Sequence, residues 1–467
     1  MQKQLCIALW LLLLACSPCF AQGNQYQFSR LNVDNGLSHN RITCIYKDIK
    51  GFMWFGTKSG LNRYDGYRFK IFKHDINNPS SISDDYIVSI TTGPQNKLWV
   101  KTRNGFNIYD PLTDRFEHAI KKALQPYNIP DSLIVSVNKD HDGNFWFLHA
   151  NLGVYKYSPS SRQVTHLTHI NADTTSLHKG LGMEMAHDSK NNAWVVYNDG
   201  IVEKIDAKNQ KVVKRFKTIG EAYPNELIEY HISVDDDDDV WVYAPLRSNG
   251  VFYICPAKNV CKQLGKDVGQ PILSSNIVFN VTQDNKGLVW IATDHGGINL
   301  IDKKSFKVKI ITNRPDDNRS LSQDCITSLY RDNANIIWLG TFKKGINYYH
   351  KDIIKFPLYG RNSFGGSGLS YDDINEFIED KKGNIWIGSN GGGLIYFNRA
   401  TGKFTTYLHD DNKPQSLSNN VIASLCLDHE QKLWIGTYFG GLDCFDGKTF
   451  THYKHSLTDT STISDNS

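Results

Sequence analysis

The sequence predicts an all-β chain in which like units are arranged around an axis, and three observations carry that prediction. Nine tryptophans, Trp54, Trp99, Trp146, Trp194, Trp241, Trp290, Trp338, Trp386 and Trp434, recur at intervals of 45 to 49 residues, so the chain is a tandem repeat. Six residues before most of them stands an aspartate, as at Asp48, Asp284 and Asp380, often with a glycine three residues later, which is hairpin-turn chemistry. The residues on either side of each tryptophan are apolar, for example Met53 and Phe55, Ile337 and Leu339, Ile385 and Ile387. Successive strand residues point to opposite faces, so this strand is apolar on both. A sandwich covers one face of each sheet, whereas a ring of sheets, each between two neighbours, covers both. That ring is a β-propeller.

Each element of the unit follows in order. An alternating first strand, such as Ile42 to Ile45 or Ile326 to Leu329, precedes the Asp turn and the Trp strand. A glycine-bearing turn, such as Gly56 to Gly60 or Gly388 to Gly393, leaves that strand and leads to a third one, Leu61 to Tyr64 or Leu394 to Phe397. A further turn, clearest at Asp110 to Asp114, leads to a fourth strand such as Arg115 to His118. Each unit is therefore a four-stranded antiparallel meander. Tyr26 to Leu31, followed by Asn35-Gly-Leu-Ser38, matches a fourth strand and its exit loop, so it is expected to complete a sheet formed later in the chain and close the ring.

The predicted organisation is a signal peptide at 1–21, a seven-bladed β-propeller of four-stranded antiparallel blades at 22–350, and the first two blades of an incomplete second propeller at 351–467. Lys3, the apolar run Leu5 to Ala15 and the small residues before Gln22 give the secretory pattern. Leu13-Leu-Ala-Cys16 also resembles a lipoprotein cleavage box, to which Leu14 is a poor fit. Phe364-Gly-Gly-Ser-Gly368 replaces the Asn/Asp-rich connecting loop, and Lys355 to Tyr359 reads as a new starting fourth strand. Ser461-Thr-Ile-Ser464 announces a tenth unit, and the expectation is that the sequence is a fragment of something longer.

Composition narrows the function. The chain has 467 residues, 40% hydrophobic and 21% charged, with net charge +4 and no basic block, which argues against nucleic acid as a partner. No segment after the signal is long and apolar enough to cross a bilayer. There is no C-x-x-C and no Cys/His set with zinc spacing, so no metal and no cofactor are expected. Cys255 and Cys261 flank the hairpin between a third and a fourth strand, and an exported chain permits a disulfide there. Asp235 to Asp239 aligns with the Asp turn of the other units and reads as an exposed acidic turn, preferred over a calcium site. Gly391-Gly-Gly393 lacks the Lys-Ser/Thr and helix of a phosphate loop, and His166-x-x-His169 lacks a third ligand. No Gly-x-Ser-x-Gly elbow and no paired carboxylates mark an active site.

The repeated signature, Asn35-Gly-Leu-Ser38 with Asn40 and Ile42, then Asp48-x-x-Gly51-x-x-Trp54-x-Gly56-Thr57 and Gly60-Leu61, resembles the periplasmic sensor region of the hybrid two-component system histidine kinases of Bacteroidetes. It returns as Leu433-Trp-Ile-Gly-Thr437 with Gly441-Leu442, and the resemblance covers residues 24–467. It implies two seven-bladed propellers, followed by a membrane helix, kinase, receiver and DNA-binding parts that these residues lack. It also implies a homodimer in the intact inner-membrane receptor, a periplasmic location for this region, and an oligosaccharide ligand. Lys101 and Leu148 depart from the signature where glycine is expected, as do His149 and Tyr197 where threonine is expected.

In a propeller the loops joining fourth to first strands and second to third strands share one face. The polar residues expected there are Arg41, Tyr86, Arg103, His149, Asn198, Arg247, His295, Lys343 and Lys344, and they form the candidate ligand site, with no catalytic residue among them. A glycan needs hydrogen-bonding groups and aromatic platforms, and arginine and lysine would suit acidic sugars. Ligand is expected on that face or between the propellers. The leading expectation is a sensing region without chemistry of its own. The alternative is a secreted propeller enzyme acting on glycans, a lyase or glycosidase.

Overall fold

The computed structural model describes residues 26–467 apart from 132, 269–271, 316, 353–358 and 362–367. The expected signal peptide, the lipoprotein box and most of the altered connecting segment after residue 351 lie outside the described residues. The chain is all-β, with nine four-stranded antiparallel sheets. It divides into two compact units, Tyr26–Ile354 and Lys355–Ser467. The sheets are numbered here by the order of their tryptophans.

Sheet 1 shows the plan. Its strands are Ile42–Lys47, Met53–Thr57, Gly60–Tyr64 and Phe69–Phe72, paired in that order. In the first unit the first strands of successive sheets neighbour one another, except that sheet 5 meets the first strand of sheet 6 through its Trp strand Val240–Tyr243, and the first strand of sheet 7, Ile326–Arg331, neighbours Ile42–Lys47. Sheet 7 contains three consecutive strands and takes its fourth, Ser29–Leu31, from the chain's beginning. Ser29 pairs with Tyr348 and Leu31 with Ile346. Arg30 ties this strand further, donating from Nη2 to Ser320 O at 2.8 Å.

The Trp strands form the cores between sheets. Met53–Thr57, Phe145–His149, Ala193–Tyr197 and Ile337–Thr341 are buried at every residue. Trp194 packs toward sheet 5 with Val240 and Phe252, and Trp241 packs toward sheet 6 with Val281 and Val289. Each indole removes roughly 150–250 Å² from water, worth about 5 kcal/mol of gross burial. Burial would strand the indole N–H, and the Asp of the turn accepts it: Trp54 Nε1 to Asp48 Oδ2 is 2.7 Å, Trp241 to Asp235 2.9 Å and Trp290 to Asp284 3.0 Å. The other oxygen caps the turn, taking the N–H groups of Lys50 and Phe52 in sheet 1. Sheet 2 has Gly93 in place of the Asp.

Two devices let neighbouring sheets approach. The first strand carries a β-bulge in eight of the nine sheets, between Ile42 and Cys44 in sheet 1 and Ile326 and Ser328 in sheet 7. The bulged residue can then reach across: Thr327 Oγ1 donates to Ile42 O at 2.7 Å, and Asn375 Nδ2 to Ile422 O at 2.9 Å. The glycine after the Trp strand is needed for close approach, since a Cβ on Gly340 would fall 2.6 Å from Ile42 Cγ2. Sheet 3 swaps the volumes. Leu148 takes the glycine position, and Gly182 of sheet 4 takes the position of Ile42, so that a Cβ there would meet Leu148 Cδ1 at 2.8 Å.

In Lys355–Ser467 the strand Ile385–Ser389 is only half-buried around Trp386, and Phe377 on its neighbouring strand is 70% exposed. The apolar face between Trp386 and Leu433 is covered, with Leu394, Leu417, Ile422 and Phe445.

Two expectations are corrected. Cys255 and Cys261 do not form a disulfide; both thiols are free. The register sets Cys261 opposite Ile254 and Cys255 opposite Val260, so the two side chains lie on opposite faces. Cys255 packs in the core with Trp241, and Cys261 against the core with Phe252. The acidic run is the Asp turn expected, with Asp236 and Asp237 exposed at its tip, but it is exposed only in part. Asp235 and Asp239 are buried, and Lys303 Nζ of sheet 6 lies 2.6 Å from Asp235, 2.6 Å from Asp237 and 3.2 Å from Asp239. Arg331 pairs with Asp236 at 2.6 Å, and Ser189 donates to Asp238. Cations of sheets 6 and 7 thus pair with the acidic turn.

Removing the turn carboxylate should loosen a sheet. D284A would leave Trp290 N–H buried and unpaired, and an unfolding midpoint in urea should fall by an amount corresponding to about 1–3 kcal/mol. A buried imidazole adds a pH dependence. His187 lies against Trp146, with ring centroids 5.3 Å apart, and its Nε2 has no partner among the described residues. Burial pushes its pKa down to about 4. Above pH 6.5 both states are neutral; between pH 6.5 and 4 the unfolded chain takes up a proton that the folded chain refuses. Stability should therefore fall across that window, by on the order of 2–3 kcal/mol at pH 4, and H187F should flatten this slope in urea titrations run from pH 7.5 to 4.

Candidate functional site

One end of each sheet is assembled by a recurring set of bonds. The N–H four residues after the tryptophan donates to the carbonyl just before the first strand: Lys58 to Arg41 O at 3.3 Å, Ala150 to Leu133 O at 2.9 Å, Asn198 to Leu181 O at 2.9 Å and Phe342 to Cys325 O at 3.1 Å. The turn after the Trp strand and the loop leading into the first strand therefore share one face. A second set ties the connecting loop to the third strand. In sheet 1, Ser38 N–H donates to Asn62 Oδ1 at 2.9 Å, Asn62 Nδ2 donates to Ser38 Oγ at 2.9 Å, and Ser38 Oγ lies 3.0 Å from Thr57 Oγ1. The same trio is Ser83, Thr102 and Asn107 in sheet 2, and Ser274, Thr293 and Asn299 in sheet 6. The Leu-Ser and Gly-Thr of the repeat are therefore structural, and the third-strand asparagine, which sequence reasoning missed, is their partner.

Sheet 4 keeps the positions and changes the chemistry. His178, Tyr197 and Glu203 stand where serine, threonine and asparagine stand elsewhere. Glu203, fully buried, accepts from His178 N–H at 3.0 Å, from Tyr197 Oη at 2.7 Å and from Arg215 Nε at 2.5 Å. Burial and the Glu203 carboxylate push the Tyr197 hydroxyl well above its ordinary range, so it stays a neutral donor. His178 Nε2 reaches Asp199 Oδ2 at 2.6 Å. The larger side chains border a pocket of about 340 Å³ between sheets 3 and 4, lined among others by His149, Asn151, Thr168, His178, Lys179 and Tyr197. Imidazole, phenol, amide, hydroxyl and ammonium groups around one concavity suit a small hydroxyl-bearing ligand. The signal was present in the sequence, since Tyr197 and His149 break the repeat, but Glu203 and Arg215 were not singled out.

The predicted residues separate into groups. His149 is buried in the pocket wall, where its Nδ1 accepts the N–H groups of Asn151 and Leu152, each at 3.2 Å. Arg41 sets its guanidinium 4.4 Å from the centre of the Phe342 ring, and Lys343 Nζ lies 5.8 Å from that ring, with Lys344 next to it and exposed. Arg103 lies 4.0 Å over Tyr86. Asn198 acts through its backbone, its carbonyl accepting Ile228 N–H at 2.8 Å. Arg247 pairs with Glu226 at 3.8 Å, and the exposed His295 meets Asp294 at 2.7 Å. The face thus brings Arg41, Lys343 and Lys344 together, and does not bring them to His149. His169, half of the His166-x-x-His169 pair, holds its own loop through Nδ1 to Leu177 O at 2.8 Å, as His409 and His455 do with Leu417 O and Ile463 O.

Comparison with known proteins bears on the same elements. The family described as "Two component regulator propeller" matches residues 36–59, 320–343, 368–391 and 416–439, each stretch running from the connecting loop through the Trp strand. A stretch of 63 residues, 14% of this chain, is 36% identical to "Histidine kinase P4" of Formosa agariphila and spans 5% of it. The extracellular domain of a B. thetaiotaomicron protein described as hybrid two component system BT3049 has a TM-score of 0.67 at 23% identity, over 92% of this chain and 55% of that one. The extracellular domain of BT4673 from the same organism has a TM-score of 0.52 at 21% identity, over 94% and 55%. The chain spans just over half the length of these solved domains, and at these identities the likeness shows the fold.

The Glu203 network should be a structural necessity. E203A would leave Arg215 and Tyr197 facing an empty buried space, and thermal unfolding should report a loss of about 3–5 kcal/mol. E203Q, which keeps an acceptor for Tyr197, should lose less.

Proposed function

We propose that this chain, which carries two-component regulator propeller repeats, is the extracytoplasmic ligand-sensing region of a hybrid two-component receptor. Its ligand is an oligosaccharide, bound on the loop face, and the chain performs no chemistry of its own. The observation that carries the reading is local: the pocket between sheets 3 and 4 is lined by His178 and Tyr197, which replace the serine and threonine of sheets 1, 2, 6 and 7 and are held by the buried Glu203. In a tandem repeat the shared residues hold the fold, and here His178 and Tyr197 replace small hydroxyls in the wall of a concavity. No described helix is long and apolar enough to cross a membrane. In the intact receptor the region lies in the periplasm, anchored through parts outside this sequence, and works as a homodimer. Ligand acts by binding one arrangement of the receptor better than another, and signalling is limited to that difference in affinity.

The test is binding by purified residues 22–467 to an oligosaccharide panel, measured calorimetrically. The expected result is saturable binding to one class without turnover. The variant H178S/Y197T, which restores the serine and threonine of sheets 1, 2, 6 and 7 and leaves Glu203 paired with Arg215, should lose that binding with a melting temperature within about 5 °C of the parent. Turnover of a polysaccharide, or undiminished binding by this variant, would overturn the reading.

A further inference from the structure

The loop face also carries an arc of cations and aromatic rings that the pocket does not use. It crosses three successive sheets: Phe342 and Lys343 of sheet 7, Arg41 and Lys58 of sheet 1, Tyr86 and Arg103 of sheet 2. We propose that this arc is a second binding site on the ring, for an acidic oligosaccharide whose sugars bear sulfate or carboxylate groups; the proposal rests on the ligand-sensing reading and names a ligand chemistry for it.

Two guanidiniums are held flat on aromatic rings, Arg41 at 4.4 Å from Phe342 and Arg103 at 4.0 Å from Tyr86. A stacked guanidinium keeps its plane fixed while its N–H fork stays available for two acceptor oxygens. Among the described residues, neither side chain donates a hydrogen bond to the protein, and no carboxylate lies within 4.0 Å of Arg41, Lys58, Arg103 or Lys343. Elsewhere on the ring cations are paired: Arg215 with Glu203, Arg247 with Glu226, Lys303 with three aspartates.

The neighbouring acids are engaged with backbone. Asp84 accepts Tyr86 N–H at 2.6 Å, and Asp85 accepts His74 N–H at 2.7 Å. His39 senses the resulting field. Its Nδ1 accepts Arg41 N–H at 2.9 Å, and burial, then Lys58, Arg41 and Lys73, hold its pKa below the ordinary value. Cations gathered without a direct ion pair repel one another, and an incoming anion relieves that repulsion while its oxygens take the guanidinium forks. Sugar rings offer apolar faces to the aromatic side chains, and a chain of charged rings can follow an arc where a single small anion would fill one point of it.

The experiment compares a sulfated dextran oligosaccharide, unmodified dextran of the same length and a single-stranded DNA oligonucleotide, titrated into residues 22–467 at several salt concentrations. The sulfated sugar should bind with an affinity that falls steeply with salt, and R41A/R103A should weaken it by about 100-fold, roughly tenfold for each guanidinium. Because both side chains are at the surface and unpaired, the melting temperature should not move. H178S/Y197T should bind the sulfated sugar as the parent does. Equal binding by R41A/R103A, equal affinity for unmodified dextran, or equally tight binding of DNA would overturn the proposal. Failure of the parent to bind the sulfated sugar, together with binding of a neutral sugar that H178S/Y197T abolishes, would overturn the arc alone and leave the sensor reading standing.

Discussion

The structure depends on one bond: an aspartate in a tight turn accepting the N–H of an indole six residues later. A tryptophan is the largest apolar group a strand can place between two sheets, and its polar edge is what makes burying it costly. The turn that starts the strand supplies the acceptor, so burial and chain reversal are solved by the same carboxylate. Trp54, Trp146, Trp241 and Trp290 all use it. At Asp332 and Asp235 a neighbouring sheet adds a cation, Lys47 at 3.1 Å in the first case. Lys303 lies 2.6 Å from Asp235. Burial still holds the Asp235 pKa above its ordinary value.

This makes each sheet dependent on its neighbours in two currencies, apolar area and charge. The glycine after the Trp strand admits the neighbouring first strand, and the bulged residue of a first strand, such as Thr327 or Asn375, bonds across to the next sheet. The same demand explains Lys355–Ser467, where the strand bearing Trp386 is half-buried on the side without a described neighbour. Function can then be carried by the loop ends without disturbing the core. His178, Tyr197 and Glu203, where sheet 4 departs from the trio, and Arg41 and Arg103 of the arc all sit at that end.

The repeat, the two-faced apolar strand and the origin of the closing strand were legible in the sequence because each is a matter of local periodicity. Contacts between sheets were not. Lys303 reaches Asp235 across 68 residues, and no spacing rule foretells it. The Ser38–Asn62 tie joins a loop to a third strand across 24 residues, so the serine was visible as a motif while its partner was not. The Cys255–Cys261 expectation failed on strand parity, which counts residues across a hairpin. Ile254 is the residue opposite Cys261, so its neighbour Cys255 must point the other way. Of the nine residues named on the loop face, the structure joins Arg41, Lys343 and Lys344 at one seam and places His149 in the wall of a pocket beside His178 and Tyr197, whose partner Glu203 lies in a strand behind it.

The pairing of Ser29–Leu31 with Ile346–Tyr349 has a kinetic consequence. The first strand to be synthesised is the last to be used, and it must wait through the making of six sheets before its partner exists. Until then sheet 7 has an open edge and the circle is a spring without its latch. Closing so long a loop is entropically expensive and is rewarded only when the whole circumference is in place. Completion should therefore be abrupt, and the intact ring should give way by release at that three-residue ladder before any sheet comes apart.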